Sequence, residues 1–240
     1  MDIALSPTTG NRLLASFPAD LLELARRDMR TVSLAQGRVL YEVGAPVDTI
    51  YFPQTGLISL LIVTEGGGMI EATTVGREGA VGLHAALGRR LSFTRVNVQI
   101  GGSFVAVPVS RFAQHVAGNK AAHDVIMRYT EVLWAESQQT SACNAAHDAS
   151  SRLCRWLLQS ADRVGSNDIP LTQEFLAQML GVRRTTVTLL AQTMQDKGLI
   201  SYSRGRITLL DRDEVEKCAC ECYGAMRRDR LLVAIGIEKT

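Results

Sequence analysis

The chain has 240 residues, 46% of them hydrophobic and 21% charged, a length and balance that suit one or two globular domains with a substantial core. Six prolines and 20 dispersed glycines exclude proline-rich, collagen-like and repeat architectures. The formal net charge is only +2, which is silent about nucleic acid until charge is mapped along the chain.

At the start, Met1 to Pro7 places no basic region before an apolar run, so no export signal is expected. The longest apolar stretch, Leu57 to Val63, is interrupted by Ser59 and is too short to span a bilayer. A cytoplasmic protein without a membrane partner is therefore expected. A short helix is predicted over 19–30, with Leu21, Leu22, Leu24 and Ala25 apolar and Arg26, Arg27 and Asp28 polar. From Thr31 to Pro108 the texture changes to short β-rich runs: Val39 to Tyr41, Thr49 to Phe52, Leu57 to Thr64, Ile70 to Val75 and Thr94 to Ile100. Glycines punctuate them, and many short strands with glycine turns predict an antiparallel sandwich or jelly roll. The clearest alternation sets Val96, Val98 and Ile100 on an inner face against Arg95, Asn97 and Gln99 on an outer one.

After Pro108 the periodicity becomes helical. Ser110 is placed to cap a helix over 111–116, and a longer helix is predicted over 121–146. Its stripe of Ala122, Val125, Ile126, Tyr129, Val132 and Leu133, with Cys143 further on, has two readings. It is a dimer seam on a helix joining two domains, or the face of a helix packed on its own sheet. A further helix is predicted over 150–162, followed by a turn at Gly165 to Asp168.

The stretch 172–193 carries the most chemistry. Thr172 is a good N-cap for a helix over 173–180, with Glu174 in its first turn. Gly181 can leave that helix at positive φ, and a second helix follows over 183–195. Leu176, Leu180, Val182, Val187 and Leu190 supply a buried face, and Ala177 leaves room for the crossing. Together these make the helix-turn-helix pattern. The second helix offers Arg183, Arg184, Thr185, Thr186 and Thr188, residue types that read base edges or hold phosphates. Thr172 and Gln173 at the start of the first helix join the predicted DNA-binding set. A β-hairpin over 200–210 then brings Ser203, Arg204 and Arg206 to a wing suited to gripping phosphates. From Leu176 to Leu210 five basic residues stand against the single acid Asp196, a local +4 in a chain whose total is +2.

Leu171 to Gly181, followed by Arg184 and Thr186-Val187, and Asp196 to Ile200 before the wing, resemble the Crp/Fnr family of bacterial transcription regulators. Gly37 to Gly44, Ile50-Tyr51-Phe52 and Gly56 are similar to the first strands of that family's cyclic-nucleotide-binding-type jelly roll. The resemblance covers nearly the whole chain. It implies an α+β protein: an N-terminal antiparallel jelly roll over 1–118, a long central dimerisation helix over 119–147 and a C-terminal winged helix-turn-helix over 148–240. It also implies a homodimer on double-stranded DNA, an effector sensed by the jelly roll, and RNA polymerase as a candidate further partner. Gly76, Arg77, Glu78, Gly79 and Arg95 lie where the family keeps its phosphate-binding cassette, and form the candidate effector pocket.

Several positions depart from the family pattern. Arg77 stands where nucleotide-binding members keep a ribose-reading glutamate, and Val96 where they keep a small hydroxyl residue. Cyclic AMP is therefore not the expected effector, and the cofactor stays unassigned. No cysteine precedes Cys143, so the iron–sulfur mode of other members is not expected. Thr185 and Leu189 replace the glutamate and second arginine with which the best-known members read their half-site, so a different operator is expected. Cys218, Cys220 and Cys222 have two readings. Cys218 and Cys222 on one helix face could bind a soft metal or sense oxidation, or a helix from Asp211 buries small apolar thiols. The five cysteines are odd in number, which argues for reduced thiols. Histidines 84, 115, 123 and 147 lack ligand spacing, and no metal ligands are assigned. A metal-dependent cupin enzyme needs a tight His-x-His that is absent here, and with no phosphate loop or nucleophile elbow no enzyme is expected. That enzyme, and a sensor whose helix-turn-helix binds protein, are the alternatives.

Overall fold

The computed structural model describes residues 10–88 and 90–227; the opening segment from Met1 to Pro7 lies outside them. Two short helices, α1 (Arg12–Ala15) and α2 (Ala19–Ala25), precede the first strands. Asn11 caps α1 and is fully satisfied: its Oδ1 accepts from Leu14 N, and its Nδ2 donates to the carbonyls of Pro53 and Gly79, all at 2.8 Å.

Seven strands follow: β1 (Arg30–Leu34), β2 (Val39–Tyr41), β3 (Thr49–Pro53), β4 (Leu57–Val63), β5 (Met69–Val75), β6 (Arg95–Ile100) and β7 (Gly102–Pro108). They form a three-stranded sheet ordered β1-β7-β3 and a four-stranded sheet ordered β2-β6-β4-β5. β1 and β3 run antiparallel to β7, with Val32 opposite Phe104 and Ile50 opposite Val107. Helix α3 (Val109–Val116) follows β7, and its Phe112 meets Phe17 edge-on at 5.4 Å and Phe52 at 6.0 Å. These rings, with Leu13, Leu14 and Phe104, are buried in the core of this part. β1 and β7 are not among the predicted strands.

Two sequence expectations change here. Asn97 and Gln99, expected to face out, are both buried along with Val96, Val98 and Ile100. β6 is interior to its sheet, between β2 and β4, and both of its faces are covered. The central helix α4 (Lys120–Ala146) buries Ala122, Val125, Ile126, Tyr129 and Val132 within the chain itself. Tyr129 Oη donates to the Ala80 carbonyl at 2.9 Å. The stripe is thus a packing face on its own domain, the second of the two readings, and the large apolar side chains that α4 exposes are Met127 and Trp134.

Asp148 caps α5 (Ala149–Val164) through Ser150 N and Ser151 N. Then come β8 (Asp168–Ile169), α6 (Gln173–Leu180), α7 (Arg184–Asp196), β9 (Ile200–Ser203), β10 (Arg206–Leu209), α8 (Arg212–Cys218) and α9 (Cys222–Ala225). β8, β10 and β9 form a small antiparallel sheet in that order. The helix after Asp211 ends at Cys218, because Ala219 is extended, so Cys218 and Cys222 do not share a helix face. Glu136 on α4 is buried and accepts from Thr73 Oγ1 at 3.1 Å and Arg163 Nη2 at 3.2 Å, while Trp156 Nε1 donates to Glu71 at 2.7 Å. The chain divides into two compact units, Met1–Leu60 with Thr74–Leu133, and Leu61–Thr73 with Trp134–Thr240. Among the described residues no helix is long and apolar enough to cross a membrane.

Candidate nucleic-acid interface

The helix pair α6–α7 is built as its sequence dictates. The Thr172 hydroxyl accepts from Phe175 N at 3.4 Å, and Gly181 ends α6 at φ 63°, a conformation that a side chain disfavours. Leu176, Leu180 and Val187 are fully buried, joined by Met179, Ala191 and Met194; Val182 and Leu190 are only half-buried. Arg183 is the extended residue before α7, and the helix proper starts at Arg184.

That start sets which side chains face out. Arg183, Arg184, Thr185 and Thr188 are exposed, and Thr186 is half-buried. Gln173, at the first position of α6, reaches across the turn: its Oε1 accepts from Arg184 Nε at 3.3 Å and from the Thr188 hydroxyl at 3.2 Å. That hydroxyl is shared with the Arg184 carbonyl at 3.1 Å. Gln173 thus holds two α7 side chains in place. Tyr202 on β9 adjoins the same group. Its phenol is pushed above the ordinary range by burial, against a hydrogen bond from the Gln173 backbone and the Arg184 charge. Sequence reasoning missed Tyr202, since nothing local marks a strand tyrosine as neighbour to a helix thirty residues earlier.

The wing is a two-residue hairpin. Arg204 (φ 50°) and Gly205 (φ 73°) are both left-handed, the geometry of a tight turn matched to strand twist, with Ser203 opposite Arg206. Arg204 stands exposed at the tip. Arg206 differs: Asp168 on β8 pairs with it and also accepts from Thr208 Oγ1 at 3.3 Å. The wing is fastened to α7 where Tyr202 N donates to Gln195 Oε1 at 2.9 Å.

The candidate effector residues do not converge. Gly76 N donates to buried Glu78 at 2.5 Å, the Arg77 carbonyl accepts from Arg12 N at 2.7 Å, and Arg95 pairs with Glu42 at 3.5 Å. A cavity of about 350 Å³ opens instead beside Tyr41, His84, Phe93, Thr94, Tyr129 and Leu133. None of Gly76, Arg77, Glu78, Gly79 or Arg95 lines it.

The family model for the Crp-like helix-turn-helix domain matches residues 151–218. No curated protein matches the chain. Among solved structures, the chain is similar to FixK2 from Bradyrhizobium japonicum at 14% identity and a TM-score of 0.69, over 80% of this chain and 98% of that one. It is similar to a CRP-family transcriptional regulator from Thermus thermophilus at 20% identity and a TM-score of 0.65, over 78% and 96% of the two chains. A CRP/FNR-family regulator from the same organism gives 22% identity and a TM-score of 0.65, over 79% and 98%. At these identities the likeness shows the shared fold: antiparallel sheets, a long helix and a C-terminal helix-turn-helix.

Proposed function

We propose that this protein is a DNA-binding transcription regulator that acts as a homodimer through α4, with its N-terminal sheets sensing an effector. The observation that carries the reading is the exposed start of α7, where Gln173 presents Arg184 and Thr188 together beside a wing tipped by Arg204. In a dimer, two such helices about 34 Å apart would enter successive major grooves of a roughly palindromic site. RNA polymerase would be a further partner of the bound dimer. The cupin alternative loses support because all four histidines lie outside strands. The protein-binding alternative would not give the steep salt dependence that phosphate contacts produce.

Selection of randomised duplexes on the purified protein tests the reading. We expect an enriched, roughly two-fold-symmetric sequence that differs from the half-site of the best-known Crp/Fnr members, because Thr185 cannot accept as a carboxylate does. Leu189, 70% exposed, offers only apolar contact, so Arg184, Thr188 and DNA shape carry more of the readout. Recovery of no common sequence would overturn the reading.

Arg184 and Arg204 are expected to differ in kind. Arg184→Ala should lose about 1–3 kcal/mol on the selected site and relax one base pair per half-site. Arg204→Ala should weaken specific and random DNA alike and make the salt slope shallower by about one. Arg206→Ala should do less, since Asp168 already holds that guanidinium. Fluorescence anisotropy across a salt series reads all three; equal losses on both DNAs for Arg184→Ala would make it a phosphate contact.

Cyclic AMP is not the proposed effector. Glu78 is turned onto Gly76 N and Arg95 onto Glu42, and each buried ligand group left without its partner costs about 1–3 kcal/mol. The largely apolar and aromatic lining of the cavity suits a less polar ligand. Calorimetry with millimolar cyclic AMP should give no binding heat; micromolar binding that tightens DNA binding would refute this.

A further inference from the structure

The densest set of soft donors among the described residues belongs to neither the DNA-facing elements nor the cavity. Cys143 comes from the last turn of α4, His147 from the bend before α5, Cys220 from the link between α8 and α9, and Cys222 from the first position of α9. One ligand atom from each lies within 4.8 Å of the other three. Cys143 Sγ is 3.5 Å from Cys220 Sγ, and Cys222 Sγ is 3.7 Å from His147 Nδ1. A tetrahedral ion with bonds of about 2.3 Å to sulfur and about 2.0–2.1 Å to nitrogen spaces its ligands about 3.5–3.8 Å apart. The two measured edges fit one such ion and leave no room for a multi-iron core.

Local structure explains the convergence. His147 N donates to the Cys143 carbonyl at 3.1 Å, so the helical turn continues and residues four apart share a face. Extended Ala219 breaks the chain out of α8, and Tyr223 N donates to the Cys220 carbonyl at 3.0 Å, a turn that brings Cys220 and Cys222 to one side. Cys218 is left exposed, outside the set, and Cys154 is buried elsewhere.

The surroundings supply a second, independent indication. His147 Nε2 lies 2.9 Å from the Glu221 carboxylate, which leaves Nδ1 turned to the thiols. A carboxylate holding the far nitrogen of a ligating histidine is the usual outer shell of a metal site. Gln139 Nε2 donates to Cys222 Sγ at 3.0 Å, as an amide does to a thiolate. The positive charge of buried Arg155 acts on Cys143 and Cys220. Three thiolates and a neutral imidazole around a divalent ion carry a net single negative charge, which that guanidinium offsets.

We propose that Cys143, His147, Cys220 and Cys222 bind one zinc ion, which fastens the segment after α8 to the end of α4. Zinc is borderline-soft, takes four-coordinate Cys₃His sets, and needs no redox partner. On binding, the three thiols release their protons to solvent and the ion takes four lone pairs. The site requires neither DNA nor an effector, so it stands apart from the proposed function.

Mass spectrometry of the full chain, purified from zinc-supplemented cells without chelator, should find about one zinc per chain. Cys143→Ser and Cys220→Ser should lose it, and Cys218→Ser should keep it. Glu221→Gln should keep the stoichiometry with affinity lowered about 10–100-fold. Titrating the chelated wild-type chain with Co²⁺ needs no variant to fold, and should give the intense visible bands and thiolate charge-transfer absorption of a tetrahedral site. A wild-type chain with no zinc and no such bands, whether its thiols are free or Cys143 and Cys220 are joined as a disulfide, would overturn the proposal. So would bands unchanged in Cys220→Ser.

Discussion

Glu136→Ala is expected to cost about 3–5 kcal/mol of folding stability, the range for breaking one side of a buried ion pair. Glu136 is 1% exposed and the Arg163 side chain 7%, so neither group can turn to water. Removing the carboxylate leaves Thr73 and Arg163 without the acceptor they share, and strands a guanidinium where its desolvation is uncompensated. Glu136→Gln keeps an acceptor of the same shape and should lose less. The pH dependence has a definite sign. Burial pushes the Glu136 carboxyl above the ordinary glutamate range, against the pull of Arg163 and Thr73. A raised carboxyl contributes stability that is fully present below its unfolded-state value and is lost as pH rises through its folded-state value. Wild-type stability should decline across that window, and Glu136→Gln should remove that part of the slope. Urea unfolding followed by circular dichroism measures both, and a loss under about 1 kcal/mol for Glu136→Ala would mean that Arg163 finds another acceptor.

The winged helix-turn-helix was legible because every signal for it is local. Thr172, Gly181 and the spacing of Leu176, Leu180 and Val187 fix two helices and their turn within sixteen residues, and Arg204-Gly205 marks the wing. The sheets were harder, for reasons visible in their strands. β1 lies at an edge and is only five residues long, so the alternation of Val32 and Leu34 with Thr31 and Ser33 offers two apolar positions, too few to mark a strand. β7 is the middle strand of its sheet, and its run from Phe104 to Val107 has no period to read. The same logic misplaces Asn97 and Gln99, since alternation of polarity on an interior strand does not mean alternation of exposure.

The sites divide along the same line. The exposed α7 residues follow from position on one helix, whereas Gln173 and Tyr202 adjoin Arg184, and Asp168 holds Arg206 of the wing, through contacts 11 to 38 residues apart. The cysteines were visible as a cluster near 220, but the donors that complete the set, Cys143 and His147, lie more than seventy residues upstream. A histidine with no ligand spacing in sequence acquires it only when the helix end and the α8–α9 link meet. The cavity beside Tyr41 and Tyr129 is likewise assembled from five separate stretches of chain, while the glycine-rich turn that resembles a cassette is occupied with its own backbone. Periodicity alone could not decide what the α4 stripe faced, because an apolar face has the same spacing whether its partner is the same chain or another.

That last distinction makes Trp134 the position on which the proposed dimer turns. With Ala122, Val125, Ile126, Tyr129 and Val132 consumed inside the chain, a partner helix can meet α4 only on its other side. There Met127 is 43% exposed and Trp134 67%, seven residues apart and so on one face of a two-helix seam. A large aromatic at the centre of an interface is the commonest kind of residue to dominate it, and truncation of such a residue typically costs about 2 kcal/mol or more. Trp134→Ala should therefore weaken dimerisation by about 30-fold or more, the equivalent of that energy, and Trp134→Glu should leave a monomer, because two carboxylates would face each other across the seam. Neither change should lower the folding stability of the single chain much, as the side chain buries little in it. Sedimentation over a concentration series reads the association, and thermal unfolding at low concentration checks the fold. DNA binding supplies the last arm: the monomer should lose affinity for the full palindrome while its affinity for an isolated half-site stays the same. Trp134→Glu sedimenting as the wild-type dimer would place the seam elsewhere than on this face of α4.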